Sequence, residues 1–180
     1  MTTFAKALQV MVEYLGSSEF AGLEDAHDTV PHVRFLQDIN RNGFLTIDSQ
    51  QGSDNALDLE RAYVCGFMRP SHYERALHAM NELRSDKLLL NIPVATEKDF
   101  KARRIPLTID KRTHEAFTTN GMFVPSMDFR FMKKQAGLKP GEAVLLVLAM
   151  DPKWGRAATS KQGLYRDLIR ALKMSLPERA

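Results

Sequence analysis

The stretch Ala143-Val144-Leu145-Leu146-Val147-Leu148-Ala149-Met150 is the longest apolar run of the chain and decides its fold. It is too short to cross a membrane as a helix, which needs about 20 residues, but it suits a strand. Because no polar residue interrupts the run, both faces of the strand must be covered. We therefore predict a central strand over residues 143–150, with the rest of the chain packed on its two sides.

Apolar residues at helical spacing predict five helices around this strand. Ser71 and Glu74 have the spacing of a capping box. Asn42-Gly43 is a typical helix end, because both residues accept a left-handed backbone. Ser126 is expected to cap the fourth helix. The predicted helices cover residues 4–15, 29–42, 71–84, 126–136 and 164–176.

Further strands are predicted at residues 44–48, 61–68, 87–94, 105–109 and 115–119. The short connection between the first two predicts an antiparallel hairpin. The second strand, the third helix and the strand at 87–94 predict a βαβ unit. In such a unit the two strands pair side by side in parallel, through a right-handed crossover.

The expected fold class is α/β, or α+β: a mixed β-sheet with about five covering helices, one βαβ unit and one hairpin. We expect a single domain over residues 1–180. The composition agrees with this, because 44% hydrophobic and 26% charged residues are ordinary for a globular protein. The expected core contains Val64, Leu77, Leu89, Leu90, residues 144–148, Leu168 and Leu172.

The sequence also predicts a location. The chain has one cysteine, Cys65, which excludes an intrachain disulfide and is typical of a reducing compartment. Residues 1–16 lack the basic start and apolar block of a secretory signal. We therefore expect an intracellular protein with no membrane partner. The sequence gives no indication of the oligomeric state.

Charge is unevenly distributed, although the net charge is only +3. Residues 1–60 contain ten acidic and three basic side chains, whereas residues 61–180 contain twelve acidic and twenty-two basic ones. The basic part would attract an anionic partner, such as nucleic acid or an acidic protein surface. The alternative, which we favour, is that the two oppositely charged segments attract each other within the fold.

Polar side chains gather where the predicted hairpin strands meet. Asp48, Ser49 and Gln50 would end one strand beside the start of the other at Arg61. Such a cluster would bind a polar ligand, with Arg61 holding an anionic group and Asp48 accepting a proton or orienting a hydroxyl. The alternative is a solvated end of a hairpin, where an Arg61–Asp48 pair would contribute under about 1 kcal/mol.

The same region resembles a known family. The segment GFLTIDSQQG at residues 43–52, followed by ERAYVCGFM at residues 60–68, resembles an uncharacterised protein family of large DNA viruses of protists and some bacteria. The resemblance covers about residues 30–70. It implies a viral origin, hence the host cytoplasm, nucleus or virion, but no activity. Its core is Gly43, Phe44, Thr46, Asp48, Ser49, Gln50, Gly52, Arg61, Tyr63, Gly66 and Phe67.

A second candidate site follows the central strand. Ligands of open α/β sheets bind beyond the carboxyl ends of the strands. There Trp154 would stack on a base and Arg156 would hold a phosphate. The alternative is a loop whose tryptophan packs over the sheet edge, which is common because tryptophan is usually substantially buried.

Basic residues form two groups. Arg166, Arg170 and Lys173 share one face of the closing helix, while Arg103 and Arg104 belong to a group within residues 98–112. Together they would neutralise nucleic-acid phosphates and give salt-sensitive binding without sequence specificity. The alternative is a solvated helix face and a charged loop, since no DNA- or RNA-binding motif accompanies them.

The sequence contains none of the familiar catalytic signatures. Its five histidines have no regular ligand spacing, and Cys65 has no neighbouring cysteine, so neither a metal site nor a cofactor is predicted. The leading hypothesis is a non-enzymatic binding or accessory protein that contacts nucleic acid or a protein partner through a basic surface. The alternative is a small enzyme or ligand-binding domain at residues 48–50 and Arg61, which requires a concave cavity beside those residues.

Overall fold

The computed structural model of the protein describes residues 3–23, 29–95 and 104–176. Within these ranges the chain forms nine β-strands and six α-helices. The strands are β1 (Leu45–Gln51), β2 (Asp58–Glu60), β3 (Ala62–Met68), β4 (Leu88–Ile92), β5 (Val94–Ala95), β6 (Arg104–Asp110), β7 (Ala116–Gly121), β8 (Val124–Pro125) and β9 (Leu145–Met150). The helices are α1 (Thr3–Leu15), α2 (Ser18–Ala21), α3 (Val33–Arg41), α4 (Pro70–Glu82), α5 (Ser126–Gln135) and α6 (Leu164–Met174).

The main sheet has four strands in the order β1-β3-β9-β4, and each neighbouring pair is antiparallel. β9 is the central strand that the apolar run predicted. Its side chains alternate between two hydrophobic cores, with Leu146 and Leu148 in one and Val147 and Ala149 in the other. The prediction of a strand covered on both faces is therefore confirmed.

The βαβ unit has a different form from the one predicted. β3 and β4 run in the same direction, since both are antiparallel to β9, and α4 connects them. The predicted side-by-side pairing is wrong, because β9 lies between the two strands. A pattern of apolar residues shows which faces are buried but not which strand lies next to which. The mixed α/β fold class is confirmed.

The two cores lie on opposite faces of the main sheet. The first packs α3, α4 and α6 against the sheet and includes Ile39 and Leu168. The second includes Leu107 of β6 and Leu138, which follows α5. α1 contributes Leu15 to the first core and Phe4 to the second, so it lies across the β1 edge of the sheet.

Most of the expected core residues are buried, but Leu77 is not. It is 36% exposed, because α4 turns Ala76, Ala79 and Met80 toward the interior instead. Leu90 is half-buried in β4. The helical period was correct at α4, but the face that meets the sheet is set by the small residues that allow close packing.

A second, three-stranded antiparallel sheet has the order β2-β6-β7, and β5 pairs with β8 in parallel. β6 and β7 confirm the predicted strands at residues 105–109 and 115–119. Gln50 joins this sheet to the main one. Its Nε2 donates to the Arg61 carbonyl at 3.0 Å and to the Leu107 carbonyl at 3.3 Å, and its Oε1 accepts from the Thr108 hydroxyl at 3.2 Å.

Two helix starts differ from prediction. α4 begins at Pro70 after Arg69, so Ser71 is inside the helix and forms no capping box; proline suits the first turn because its φ is already helical. α5 begins at Ser126 itself. The predicted helix end at Gly43 is confirmed by its φ of +89°.

None of the helices in the described ranges has both the length and the apolar character that crossing a bilayer requires.

Candidate ligand-binding site

The hairpin of β1 and β3 is antiparallel as predicted, but its register separates the expected polar cluster. β1 continues to Gln51, which lies opposite Ala62, while Asp48 lies opposite Cys65 after a bulge. The predicted placement of Asp48 beside Arg61 at a shared strand end is therefore wrong. The prediction failed because β1 continues through Ser49, Gln50 and Gln51, beyond the strand end predicted at residue 48.

Asp48 has a different partner. The Tyr63 hydroxyl donates a hydrogen bond of 2.7 Å to the Asp48 Oδ2. Burial, reinforced by the Asp48 charge, raises the pKa of the Tyr63 hydroxyl, so the phenol keeps its proton and remains the donor. The Asp48 side chain is thereby held in one orientation at an exposed position of β1.

Arg61 is engaged where the two sheets meet. Its Nη1 donates to the Pro106 carbonyl at 3.2 Å, and its guanidinium carbon lies 4.0 Å from the centroid of the Trp154 ring. The Nε is buried without a hydrogen-bond partner among the described atoms. Arg61 does not line the cavities beside β1, so the predicted anchoring of an anion there by Arg61 has no support in the geometry.

A cavity of about 520 Å³ opens beside the second half of β1, and we call it the polar cavity. This volume lies within the range of about 300–1,000 Å³ that small-molecule sites occupy. Its hydroxyl groups belong to Thr29, Ser49, Ser53 and Tyr165. Its carboxamides belong to Gln50, Gln51 and Asn55, and the wall is completed by Gly52 and Glu60.

Gly52 is required where the chain turns at the cavity wall. Its φ is +75°, a conformation that other residues rarely adopt, and an added Cβ would lie 2.6 Å from the Ala62 nitrogen and 2.7 Å from the Arg156 carbonyl oxygen. The loop after β9 therefore packs directly on this turn. A hydrogen bond of 2.7 Å from the Ala158 nitrogen to the Gln51 carbonyl fixes the contact.

Two side-chain pairs order the wall of the polar cavity. Burial raises the pKa of the Tyr165 hydroxyl to about 12, although its interaction with Ser49 acts in the opposite direction. The Ser53 hydroxyl donates to Glu60 Oε2 at 2.8 Å. Glu60 is the sole charged side chain among the described residues of this wall. The cavity therefore suits hydroxyl, amide or cationic groups and disfavours anions.

A second cavity of about 310 Å³ adjoins the first at the other half of β1. We call it the apolar cavity, because most of its wall consists of Met11, Tyr14, Leu15, Phe20, Leu23, Leu36 and Ile47. Asp48 and Thr46 add polar groups to the wall. Thr29 and Ser49 line both cavities, so the two cavities are adjacent along β1.

Several residues of the polar cavity lie outside the stretch that the sequence singled out. Ser53 and Asn55 are in the polar loop after β1, where a run of Ser, Asp and Asn was a usable signal. Tyr165 comes from α6, far along the chain, and no local pattern connects it with β1. Thr29 directly precedes the 3₁₀ turn before α3 and was expected only as a helix cap.

The site predicted after β9 has its charged groups paired within the protein. Asp151 is fully buried and receives two hydrogen bonds from Arg156, which also donates to Asp86. Trp154 is covered by Arg61 on its ring. These contacts indicate a structural role, and the phosphate-binding role of Arg156 stays a prediction.

In the described ranges no three His, Cys, Asp or Glu side chains are placed to hold a metal ion.

The basic residues do not share one face. Arg166, Arg170 and Lys173 are exposed on α6, which packs on the first core. Arg104 is exposed at the start of β6, whose Leu107 belongs to the second core on the other side of the main sheet. Arg103 lies outside the described residues. A nucleic-acid surface would therefore have to use one group or the other.

Comparison with known proteins finds a family but no function. The sequence profile of a family described as a domain of unknown function (DUF6919) matches residues 2–174. This match covers nearly the whole chain, whereas the resemblance to viral proteins covers about residues 30–70 and stays a prediction. No curated protein matches the chain.

Proposed function

From the premise that the chain belongs to the DUF6919 family, we propose that it is a small-molecule-binding domain whose site is the polar cavity beside β1. One observation carries the proposal: a cavity of about 520 Å³ whose described wall consists of hydroxyls, carboxamides, one glycine and one carboxylate. Typical ligand pockets are largely apolar with a few polar groups. A wall of this kind favours a ligand that is itself rich in polar groups.

The wall is rigid enough to select a ligand. The Gln50 side chain is fixed by hydrogen bonds to the Arg61 and Leu107 carbonyls and to the Thr108 hydroxyl, so the part of β1 beside the cavity is anchored to the second sheet. Ser49 and Tyr165 lie on a strand and a helix, so the backbone on both sides of the cavity is regular. Side chains fixed on regular elements in this way bind with less loss of conformational freedom than those on loops.

The proposal concerns binding rather than a reaction. A general base must be free to accept a proton from the ligand. Burial keeps Tyr165 protonated at neutral pH by raising its pKa to about 12, so this hydroxyl is suited to donate a hydrogen bond and not to accept a proton. The groups that line the cavity are thus suited to orient a molecule through hydrogen bonds.

A substitution at Thr29 tests the proposal. Thr29 lines both cavities, and its side chain makes no capping hydrogen bond, so Thr29→Trp fills the space without removing a helix contact. Saturation-transfer NMR with a panel of amino acids, monosaccharides, amines and nucleosides measures binding to the wild type, to this variant and to the control Thr29→Ser. Circular dichroism establishes that all three proteins are folded.

We expect at least one compound of the panel to receive saturation from the wild type and from Thr29→Ser, and to lose it in Thr29→Trp. The proposal is contradicted when no compound of the panel binds the wild type. It is equally contradicted when the compounds that bind the wild type bind Thr29→Trp as well, since their site would then lie elsewhere on the protein.

Binding of a polyanion is a second candidate function, and one observation favours it. Arg166, Arg170 and Lys173 are exposed along one face of α6, as the spacing predicted, and none forms an ion pair with another described residue. Three cations in a row can neutralise nucleic-acid phosphates without reading the sequence. The candidate is limited to this helix, because Arg104 lies on the other side of the main sheet.

A further inference from the structure

We propose that the polar and apolar cavities form one bipartite site for an organic amine with an aromatic or other compact apolar group. This inference rests on the proposed function and names the chemical class of the ligand. Its first support is position: Thr29 and Ser49 belong to both walls, so the two cavities are adjacent and a ligand that occupied both would pass these two residues.

The second support is charge. The described walls of the two cavities contain two carboxylates, Asp48 and Glu60, and no lysine, arginine or histidine. An ammonium group is attracted by both carboxylates, and the attraction is stronger in a partly enclosed site than in water. A ligand carboxylate or phosphate would meet repulsion and, among the described wall residues, no compensating cation. The walls therefore select for positive charge.

The Glu60 carboxylate can accept an additional donor. Its hydrogen bond to Ser53 uses Oε2, and an ionised carboxylate can accept several hydrogen bonds. Charge-assisted hydrogen bonds of this kind are roughly twice as strong as neutral ones. We place the ammonium group of the ligand beside Glu60, with the hydroxyls and carboxamides of the polar cavity as further acceptors.

The third support is the size and lining of the apolar cavity. At about 310 Å³ it is larger than the roughly 150 Å³ cavity that is known to bind benzene. Tyr14 and Phe20 form an edge-to-face pair in its wall, with ring centroids 5.6 Å apart. A ring of the ligand would add to this arrangement and pack against Met11 and Leu36.

The site lies in the acidic part of the sequence. Every described wall residue of the two cavities except Tyr165 lies between positions 11 and 60, within the acidic first third. Net negative charge in the part of the chain that forms a site favours a cationic ligand over an anionic one.

Four small probes separate the parts of the inference. Tyramine carries the amine and the ring, tyrosol replaces the amine by a hydroxyl, 3-(4-hydroxyphenyl)propionate replaces it by a carboxylate, and ethanolamine lacks the ring. Their dissociation constants are measured by NMR titration on the wild type and on Glu60→Gln. Glu115→Gln is the matched control, because Glu115 is exposed at the turn between β6 and β7.

We expect tyramine to bind at least about fivefold more tightly than tyrosol, with the propionate weakest and ethanolamine weaker than tyramine. Glu60→Gln should bring tyramine to the level of tyrosol, since glutamine keeps the acceptor for Ser53 and removes only the charge. Glu115→Gln should leave all four dissociation constants unchanged. Thermal unfolding of both variants verifies that the fold is retained.

Other outcomes overturn the inference in distinguishable ways. If all probes bind equally and Thr29→Trp abolishes their binding, the proposed function stands and the preference for an amine is wrong. If tyramine binds as tightly to Glu60→Gln as to the wild type, the ammonium group does not lie beside Glu60. If no probe binds the wild type, this inference fails, whatever the wider panel shows for the proposed function.

Discussion

The Arg156 guanidinium donates two hydrogen bonds to the Asp151 carboxylate, from Nε to Oδ2 and from Nη2 to Oδ1, both of 2.5 Å. Asp151 is fully buried, and the Nζ of Lys87, whose side chain is 1% exposed, lies 3.6 Å from the same carboxylate. One buried anion thus compensates two cations at the carboxyl end of β9.

Asp151→Asn should therefore be strongly destabilising. The amide keeps the shape of the side chain but removes the buried counter-charge of Lys87 and Arg156. Because Asp86 still pairs with both cations, we expect a loss of roughly 3 kcal/mol, the low end for comparable buried sites. Urea unfolding measures the loss. The control is Asp38→Asn, which breaks the exposed pair with Arg41 and should cost under about 1 kcal/mol. Equal losses in the two variants would show that the network contributes little.

Gly52→Ala should also destabilise the fold, for a reason of backbone geometry. The positive φ and the close approach of the Ala62 nitrogen leave no space for a Cβ, so we expect a loss of about 1–3 kcal/mol. Gly141 provides the comparison, because nothing lies within 4 Å of its Cβ position. Gly141→Ala should change the free energy of unfolding by less than about 1 kcal/mol. A small effect at Gly52 would mean that the loop after β9 does not pack on it.

Buried His72 makes stability depend on pH. It is 7% exposed, its Nε2 has no partner among the described atoms, and burial lowers its pKa below the ordinary value of 6.5. Below pH 6.5 the imidazole of His72 binds a proton in the unfolded chain but stays neutral in the folded protein. The free energy of unfolding is therefore unaffected by His72 above pH 6.5. It decreases as the pH falls toward the folded-state pKa, by at most about 1.4 kcal/mol per pH unit.

His72→Gln should reduce this dependence, as measured by the free energy of unfolding at several pH values. Burial also lowers the pKa of His32, so a weaker dependence should remain in the variant. His78 is the control, because its side chain is 76% exposed and contacts only Glu82 at the surface. His78→Gln should leave the slope of the wild type unchanged. If the free energy of unfolding of His72→Gln changed with pH as it does in the wild type, the pH dependence would come from other groups.

The basic face of α6 predicts weak, salt-sensitive binding of a polyanion. Three phosphate contacts give a slope of about −2.7 in a plot of log affinity against log salt concentration. Fluorescence anisotropy with a labelled DNA duplex measures the slope, and replacement of Arg166, Arg170 and Lys173 by glutamine should abolish binding. Absence of binding at low salt, or binding that survives the triple replacement, would remove this candidate function.

The helices and strands were largely predictable, because the apolar residues on a buried face recur at the spacing of a helix or a strand. The apolar run identified β9, and helical spacing identified α3, α4 and α6. The short connection predicted that β1 and β3 are neighbours, but the neighbours of β9 were not predictable, since β9 comes from a distant part of the chain and inserts between β3 and β4. At α4 only Leu77 was misassigned: it points outward, while Ala76 joins the first core and Ala79 and Met80 pack against Ala171 of α6.

The candidate site was predictable only in part. Ser49 and Gln50 were selected from their polar character near a strand end, and both line the polar cavity. Arg61 was selected with them but stacks on Trp154, because β1 is longer than its composition suggested. Tyr165 reaches the cavity only through the packing of α6, a long-range contact that no local pattern encodes.

Amide chemical-shift mapping during a tyramine titration tests most directly whether the cavity beside β1 is the binding site. We expect the perturbed ¹H–¹⁵N signals to cluster at residues 49–53 and Glu60, with little change along α4. Signals that move mainly on other elements, or that do not move at saturating tyramine, would contradict a ligand site at β1.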